Sequence, residues 1–115
     1  MDTTELTEKC LEWQEHLGLK HWRIEVHLVR GVEIRGNCGQ NDYSLEDETS
    51  LIRIKDACDY HGYYPYDMEA VLVHELLHLL LDTSCSPDGY GYEQMLSRLS
   101  RLLVKLRREK DNMPE

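Results

Sequence analysis

The segment VLVHELLHLLLD, which runs from Val71 to Asp82, places two histidines and a glutamate among eight large aliphatic residues. Burial of these three polar groups is unfavourable unless each of them finds a partner. Apolar residues lie on nearly every side of the segment, which predicts a central, buried helix over residues 68–81. Asp67 is predicted to cap the N-terminus of this helix, and the negative charge of Glu69 in its first turn interacts favourably with the helix dipole.

The motif HELLH within this segment has the spacing of a metal site. His74 and His78 are four residues apart, so both imidazoles lie on one face of the helix and can bind the same ion. Zinc accepts two imidazole nitrogens and leaves positions for a third protein ligand and a water molecule. Glu75 is offset around the helix, and we expect it to act as the general base on that water rather than as a ligand. The alternative is a pair of core histidines with ordinary hydrogen-bond partners, but the shortage of polar neighbours favours the metal site.

Three residues are candidates for the third ligand. Asp82 continues the four-residue spacing but lies about 12 Å from His74 along a straight helix, so we expect it to cap the helix or to orient a ligand. His61 precedes the helix and could fold over it, although nothing in the sequence fixes its position. Glu93 is preferred, because it lies near the start of the next predicted helix and is followed four residues later by Ser97 rather than by a basic partner. The alternative for Glu93 is a first-turn acidic residue that simply opposes the helix dipole.

Two further helices are predicted, one on each side of this segment in the chain. Residues 4–18 carry apolar side chains at helical spacing, with Thr3 or Thr4 as the N-cap and Gly18 as the stop. The last helix is predicted to begin near Tyr92. Its core stripe is predicted to comprise Met95, Leu96, Leu99, Leu102, Leu103 and Leu106.

Three strands are predicted between the first helix and the HELLH helix. Residues 21–30 alternate between apolar and polar side chains, a weak strand lies near residues 36–44, and SLIRIK forms a short strand over residues 50–55. The order helix, strands, helix, helix predicts one α+β domain over residues 1–115. In this arrangement a small three-stranded sheet lies over the buried HELLH helix, and the C-terminal helix packs beside that helix.

Composition and charge argue against several classes of function. The net charge of −9 disfavours nucleic acid and anionic membranes as the main partners. The N-terminus shows no apolar signal region and no apolar run approaches a membrane span, so a cytoplasmic location is expected. The four cysteines form no CxxC pair, which disfavours a cysteine zinc site and, in a reducing compartment, predicts free thiols at Cys10, Cys38, Cys58 and Cys85.

The motif HELLH, followed by Glu93 on the next predicted helix, resembles the gluzincin branch of the zinc metallopeptidases. The short chain, with a helix and a few strands ahead of the motif, resembles the minimal members called minigluzincins and small phage and bacterial proteins of the same layout. The specific match covers residues 71–104, and the order of elements extends it loosely to most of the chain. The resemblance implies a zinc ion held by His74, His78 and Glu93, with Glu75 as the base that hydrolyses a peptide or protein substrate.

The chain departs from this family in several respects. Larger gluzincins often carry an aspartate four residues after the ligating glutamate, where this chain has Ser97, so orientation of the zinc-bound histidine is expected to be weaker or to come from elsewhere. They also carry a histidine or tyrosine that stabilises the oxyanion. The sequence leaves that role open among Tyr63, Tyr64, Tyr66, Tyr90 and Tyr92. The substrate-binding subdomain is missing, so we expect the substrate to add to an exposed sheet edge, at the SLIRIK strand.

Two alternatives to a general peptidase remain open at the level of sequence. The domain can be a non-catalytic, zinc-stabilised interaction module, as the missing aspartate and missing subdomain suggest. It can also be a peptidase restricted to one regulatory protein substrate.

Overall fold

The computed structural model of the chain describes residues 1–62, 65–82 and 90–112, with the backbone alone at Tyr90. Within these residues the fold is α+β, as predicted from the order of elements. It has three helices and a three-stranded sheet: α1 (Thr3–Leu17), β1 (Arg23–Val29), β2 (Gly39–Ser44), β3 (Thr49–Lys55), α2 (Met68–Leu81) and α3 (Tyr90–Asp111). Two short 3-10 turns occur at Gly31–Ile34 and Ala57–Asp59. None of the helices in the described ranges is both long and apolar enough to cross a bilayer.

Helix α1 begins one residue earlier than predicted because its N-cap is Asp2. The Asp2 carboxylate accepts a hydrogen bond from the Glu5 backbone N–H at 2.8 Å, which corrects the predicted caps Thr3 and Thr4. Its end was predicted correctly: Gly18 adopts a φ of 73°, the left-handed conformation that glycine reaches without strain.

The sheet has the strand order β1-β3-β2, with β1 parallel and β2 antiparallel to β3. The SLIRIK strand is therefore the centre of the sheet and is paired on both sides, so its assignment as an exposed edge for substrate was wrong. Ser50, Ile52 and Ile54 of this strand are buried under the helices. The edge nearest α2 is β2, whose polar sequence GQNDYS tolerates a solvent-facing position.

Helix α2 occupies the centre of the molecule and contacts both neighbouring helices and two strands. Its aliphatic side chains are almost fully buried, in agreement with the prediction; they are Leu72, Val73, Leu76, Leu77 and Leu79. The predicted cap is also present, because the Asp67 carboxylate accepts a hydrogen bond from the Ala70 N–H. A central helix buried in this way has little freedom to shift, so it is a rigid base for the HELLH side chains.

Helix α3 runs antiparallel along α2, and its predicted core stripe is correct for Leu96, Leu99 and Leu103 but wrong for the other three residues. The residues that it buries are Leu96, Ser100 and Val104, while Leu99 and Leu103 are half-buried. The predicted core residues Met95, Leu102 and Leu106 are 48%, 51% and 51% exposed. The small Ser100 lies within the contact face, which its polar side chain did not suggest.

A buried polar network joins all three helices at the end of α2 opposite to its histidines. Glu69 is 4% exposed. Its carboxylate accepts hydrogen bonds from Trp13 Nε1 on α1 at 2.7 Å and from Arg108 on α3 at 2.9 Å. Arg108 also donates two hydrogen bonds to Asp67. The network fixes the relative positions of the helices because a buried carboxylate is stable only when it is paired.

Candidate metal centre

The three predicted ligands meet between α2 and α3. Oε2 of Glu93 lies 2.9 Å from Nε2 of His74, and Oε1 of Glu93 lies 3.2 Å from Nε2 of His78. One possible ligand atom from each of the three residues lies within 4.8 Å of the other two.

These separations fit a small divalent cation. Zinc bonds of about 2.0–2.1 Å at tetrahedral angles place neighbouring ligand atoms about 3.3 Å apart, close to the distances observed here. Two imidazole nitrogens and one carboxylate also suit zinc, although other transition metals accept the same donors. The group could therefore hold a metal ion, and its geometry alone does not select zinc.

The far side of each imidazole ring has its own hydrogen-bond partner. Oγ of Ser97 lies 3.1 Å from Nδ1 of His74, and the Asp82 carboxylate lies 3.3 Å from Nδ1 of His78. Both oxygens can accept a proton from Nδ1, so with an ion bound each ring could keep its proton on Nδ1 and offer its Nε2 lone pair to the ion. Burial lowers the pKa of His74 in spite of its hydrogen bond with Glu93, which favours the neutral ring that a metal requires.

Asp82 is held as a carboxylate by groups from three elements. Its side chain is 5% exposed and accepts hydrogen bonds from the hydroxyls of Tyr43 on β2 and Tyr92 on α3. Burial raises the pKa of Asp82, but these hydrogen bonds and the neighbouring His78 outweigh it and hold the pKa below its ordinary value. Burial and the hydrogen bond to Asp82 raise the pKa of Tyr43 to about 12, so this hydroxyl remains a donor. A fixed negative charge thus faces the ring of His78.

Glu75 lies beside the three ligands without belonging to their group. Its side chain is nearly buried, and burial raises its pKa from 4.5 to about 7. His78 opposes this shift, whereas the charges of Glu93 and Asp82 add to it. A carboxyl group with a pKa near neutrality can accept and release a proton under physiological conditions, as a general base must.

Two residues of β2 that lie outside the motif position Glu75. Nδ2 of Asn41 donates to the backbone oxygen of Glu75 at 2.9 Å, and Oδ1 of Asn41 accepts from Ser50 on β3 at 2.5 Å. Gly39 approaches so closely that a Cβ there would lie 3.0 Å from Oε2 of Glu75 and 2.8 Å from Cγ1 of Val71. The edge strand β2 is therefore packed directly against Glu75, the candidate general base.

The sequence did not single out Gly39, Asn41 or Tyr43 as functional residues. They occupy every second position of β2, so their side chains share the face of the strand that meets α2. This alternation is a signal, but it acquires meaning only when β2 is known to lie beside α2.

The remaining predicted residues differ in where the structure places them. Tyr92 lies close to His78, with ring centroids 5.7 Å apart, and Tyr66 donates its hydroxyl proton to the Lys55 backbone oxygen at 2.6 Å. His61 is exposed and is not part of the group. The candidates Tyr63 and Tyr64, and the side chain of Tyr90, lie outside the described residues. Cys10, Cys38 and Cys58 are free thiols as predicted, and Cys85 also lies outside.

An open cleft of about 920 Å³ runs over the candidate ligands. Its floor is α2, one wall is the segment 37–41 at the start of β2, and the opposite wall is α3. Pro65, Tyr66 and Asp67 line the end that lies away from the metal site. The cleft therefore connects the ligands, Glu75 and a free strand edge in one accessible space.

No family model matches the chain, and no curated protein or solved structure matches it either.

Proposed function

We propose that this protein is a zinc-dependent peptidase that acts in the cytoplasm on peptide or protein substrates. The observation that carries the proposal is that the Glu93 carboxylate lies within 3.2 Å of Nε2 of both His74 and His78. Glu75 lies beside these three residues in an open cleft. The resemblance of HELLH and Glu93 to the gluzincin pattern supports the same assignment.

In this proposal the residues of the site have three roles: metal binding, proton transfer and orientation of the imidazole rings. His74, His78 and Glu93 hold the zinc ion, which when bound polarises the substrate carbonyl and acidifies water. Glu75 accepts the proton of the attacking water and transfers it to the leaving amine, a role that suits its pKa of about 7. Asp82 and Ser97 keep the two imidazole rings oriented through their Nδ1 atoms.

The free edge of β2 offers a binding place for the substrate backbone. The Cys38 carbonyl accepts a hydrogen bond from the Lys55 N–H at 2.8 Å, so alternate residues from Cys38 onwards bond to β3. The backbone groups of Gly39, Asn41 and Tyr43 then point to the other side, where no further strand lies among the described residues. An extended peptide added to this edge lies beside Glu75.

Metal content and hydrolysis, measured on the same purified variants, test the proposal. Wild type is expected to bind one equivalent of zinc, His74→Ala to lose it, and Glu93→Ala to bind it much more weakly. Glu75→Gln is expected to keep the zinc but to lose cleavage of a peptide library. His61→Ala is the matched control, because it removes an exposed histidine outside the site. Wild type without stoichiometric metal after incubation with zinc would contradict the proposal.

A second candidate function is a zinc-stabilised interaction module. The ligands come from both α2 and α3, so a bound ion would cross-link the two helices, which favours this candidate. This candidate predicts a large fall in melting temperature on chelation and no cleavage of any peptide. Cleavage that disappears in Glu75→Gln would exclude it.

A further inference from the structure

Arg101 is a cation in the wall of the cleft. The cleft lining contains several charged side chains, and Arg101 is the one arginine or lysine among its described members. Its side chain is exposed, and within the described residues it makes no hydrogen bond or salt bridge. Arg108, which lies nearby on the same helix, is instead occupied by Asp67 and Glu69.

The position of Arg101 relative to the metal site follows from helix geometry. Glu93, Ser97 and Arg101 are spaced by four residues and lie on one face of α3, and the first two contact the ring of His74. Arg101 is therefore about 6 Å beyond Ser97 and about 12 Å beyond Glu93 along the helix.

The surroundings of Arg101 fit a peptide side chain with an apolar stem and a charged end. Ala70 and Val71 form the floor of the cleft one turn before His74, and Tyr66 lies on the wall across from α3. The carboxylate of Asp67, which also lines this end, accepts two hydrogen bonds from Arg108, although Arg108 also binds the buried Glu69 and so offsets the charge of Asp67 only in part. A second carboxylate at this end would therefore meet the guanidinium of Arg101, which makes no ion pair among the described residues, and a negative charge on Asp67 that Arg108 partly offsets.

We propose that Arg101 forms a subsite for a carboxylate of the substrate, so that the peptidase prefers peptides with an acidic group on one side of the cleaved bond. This inference rests on the proposed function and specifies its substrate class. An extended peptide rises about 3.3 Å per residue, so a distance of about 6–12 Å corresponds to about two to four residues from the reacting carbonyl. The carboxylate is supplied by a glutamate or aspartate side chain or by the free C-terminus of a short peptide.

Peptides that carry a hydroxamate group at the N-terminal end test the subsite without requiring turnover. The hydroxamate anchors the peptide at zinc, and the second, third or fourth residue from it is glutamate or glutamine. The far end is amidated in one set and free in the other, which separates a side-chain carboxylate from a terminal one. Dissociation constants are measured by calorimetry on the zinc-loaded full chain.

We expect the glutamate peptide to bind about two- to fivefold more tightly than the glutamine peptide at one of these positions, the range of an exposed ion pair. This preference, or the equivalent preference for a free terminus, should vanish in Arg101→Gln, and in Arg101→Glu the glutamine or amidated peptide should bind more tightly than its charged counterpart. Arg98→Gln is the matched control, because it removes an exposed charge of the same helix that does not line the cleft.

The outcomes separate this inference from the proposed function. Hydroxamates that bind wild type with no preference for a carboxylate, or with a preference that survives in Arg101→Gln, overturn the subsite and leave the peptidase proposal intact. Hydroxamates that fail to bind a zinc-loaded chain show that the metal is inaccessible, and they overturn both proposals.

Discussion

Replacement of Asp82 by asparagine removes the charge that orients His78 while keeping the size of the side chain. The Asp82 carboxylate lies 3.3 Å from Nδ1 of His78, whereas the corresponding partner of His74 is the neutral hydroxyl of Ser97 at 3.1 Å. The two histidines are otherwise alike in their contact with Glu93 through Nε2. The chain therefore contains its own comparison between a charged and a neutral partner of a metal-binding histidine.

The magnitude of the effect follows from the burial of the pair. The side chains of Asp82 and His78 are 5% and 14% exposed, so solvent screens their interaction only slightly. Hydrogen bonds to charged groups contribute about 1.5–3 kcal/mol and neutral ones about 0.5–1.5 kcal/mol. We expect Asp82→Asn to weaken zinc binding about 10- to 100-fold and Ser97→Ala to weaken it about 2- to 10-fold.

Competition with a chromophoric zinc chelator at fixed neutral pH measures both dissociation constants. The melting temperature of each metal-free variant shows whether the fold is intact, and Tyr43→Phe, which removes one donor to Asp82 but keeps the carboxylate, is the control. The reasoning is refuted if folded Asp82→Asn binds zinc as tightly as wild type, or if Ser97→Ala has the larger effect.

Three further predictions concern packing and protonation. Gly39→Ala should lower the free energy of unfolding by about 1–3 kcal/mol in urea denaturation, because the new methyl group would overlap Val71. It should also slow peptide cleavage, because it displaces Glu75. An unchanged stability would contradict the close approach of Gly39 to α2. In the metal-free protein the pKa of about 7 for Glu75 means that the folded state holds this proton more tightly than the unfolded chain. The stabilising contribution of this proton is therefore complete below pH 4.5 and is lost as the pH rises through 7. In denaturant titrations, the free energy of unfolding of wild type relative to Glu75→Gln should fall by about 3 kcal/mol between these two pH values. Trp13→Phe removes one of the donors to the buried carboxylate of Glu69 and should lower the free energy of unfolding by about 1–3 kcal/mol in guanidinium. An effect no larger than that of a substitution at an exposed residue would show that this hydrogen bond is dispensable.

The elements that the sequence predicted well are those with a strong local signal. Helix α2 is apolar on almost all sides and capped by Asp67, and both features persist whatever packs around it. Gly18 ended α1 as expected, because the left-handed conformation is accessible to glycine with little strain. By contrast, half of the predicted core face of α3 was wrong, because its apolar residues outnumber the positions that α2 can cover and only packing decides which of them are buried.

The place of β3 in the sheet could not be read from its residues. A short strand with alternating buried side chains suits both an edge and a centre, and strand order depends on pairings between distant parts of the chain. The same limit applies to the contacts of Asn41 and Tyr43 with α2, which exist only because β2 is the strand that lies beside it.

The sequence by itself determined a buried helix with two histidines on one face, since a four-residue spacing fixes their common direction on any helix. It also favoured Glu93 over Asp82 as the third ligand, because the rise of a straight helix separates Asp82 from His74. Only the tertiary structure decided that Glu93 meets both Nε2 atoms, that Asp82 and Ser97 hold the opposite sides of the rings, and that Arg101 shares the cleft. These contacts join residues of separate elements, and their distances depend on how α2, α3 and the sheet pack, which no local pattern specifies.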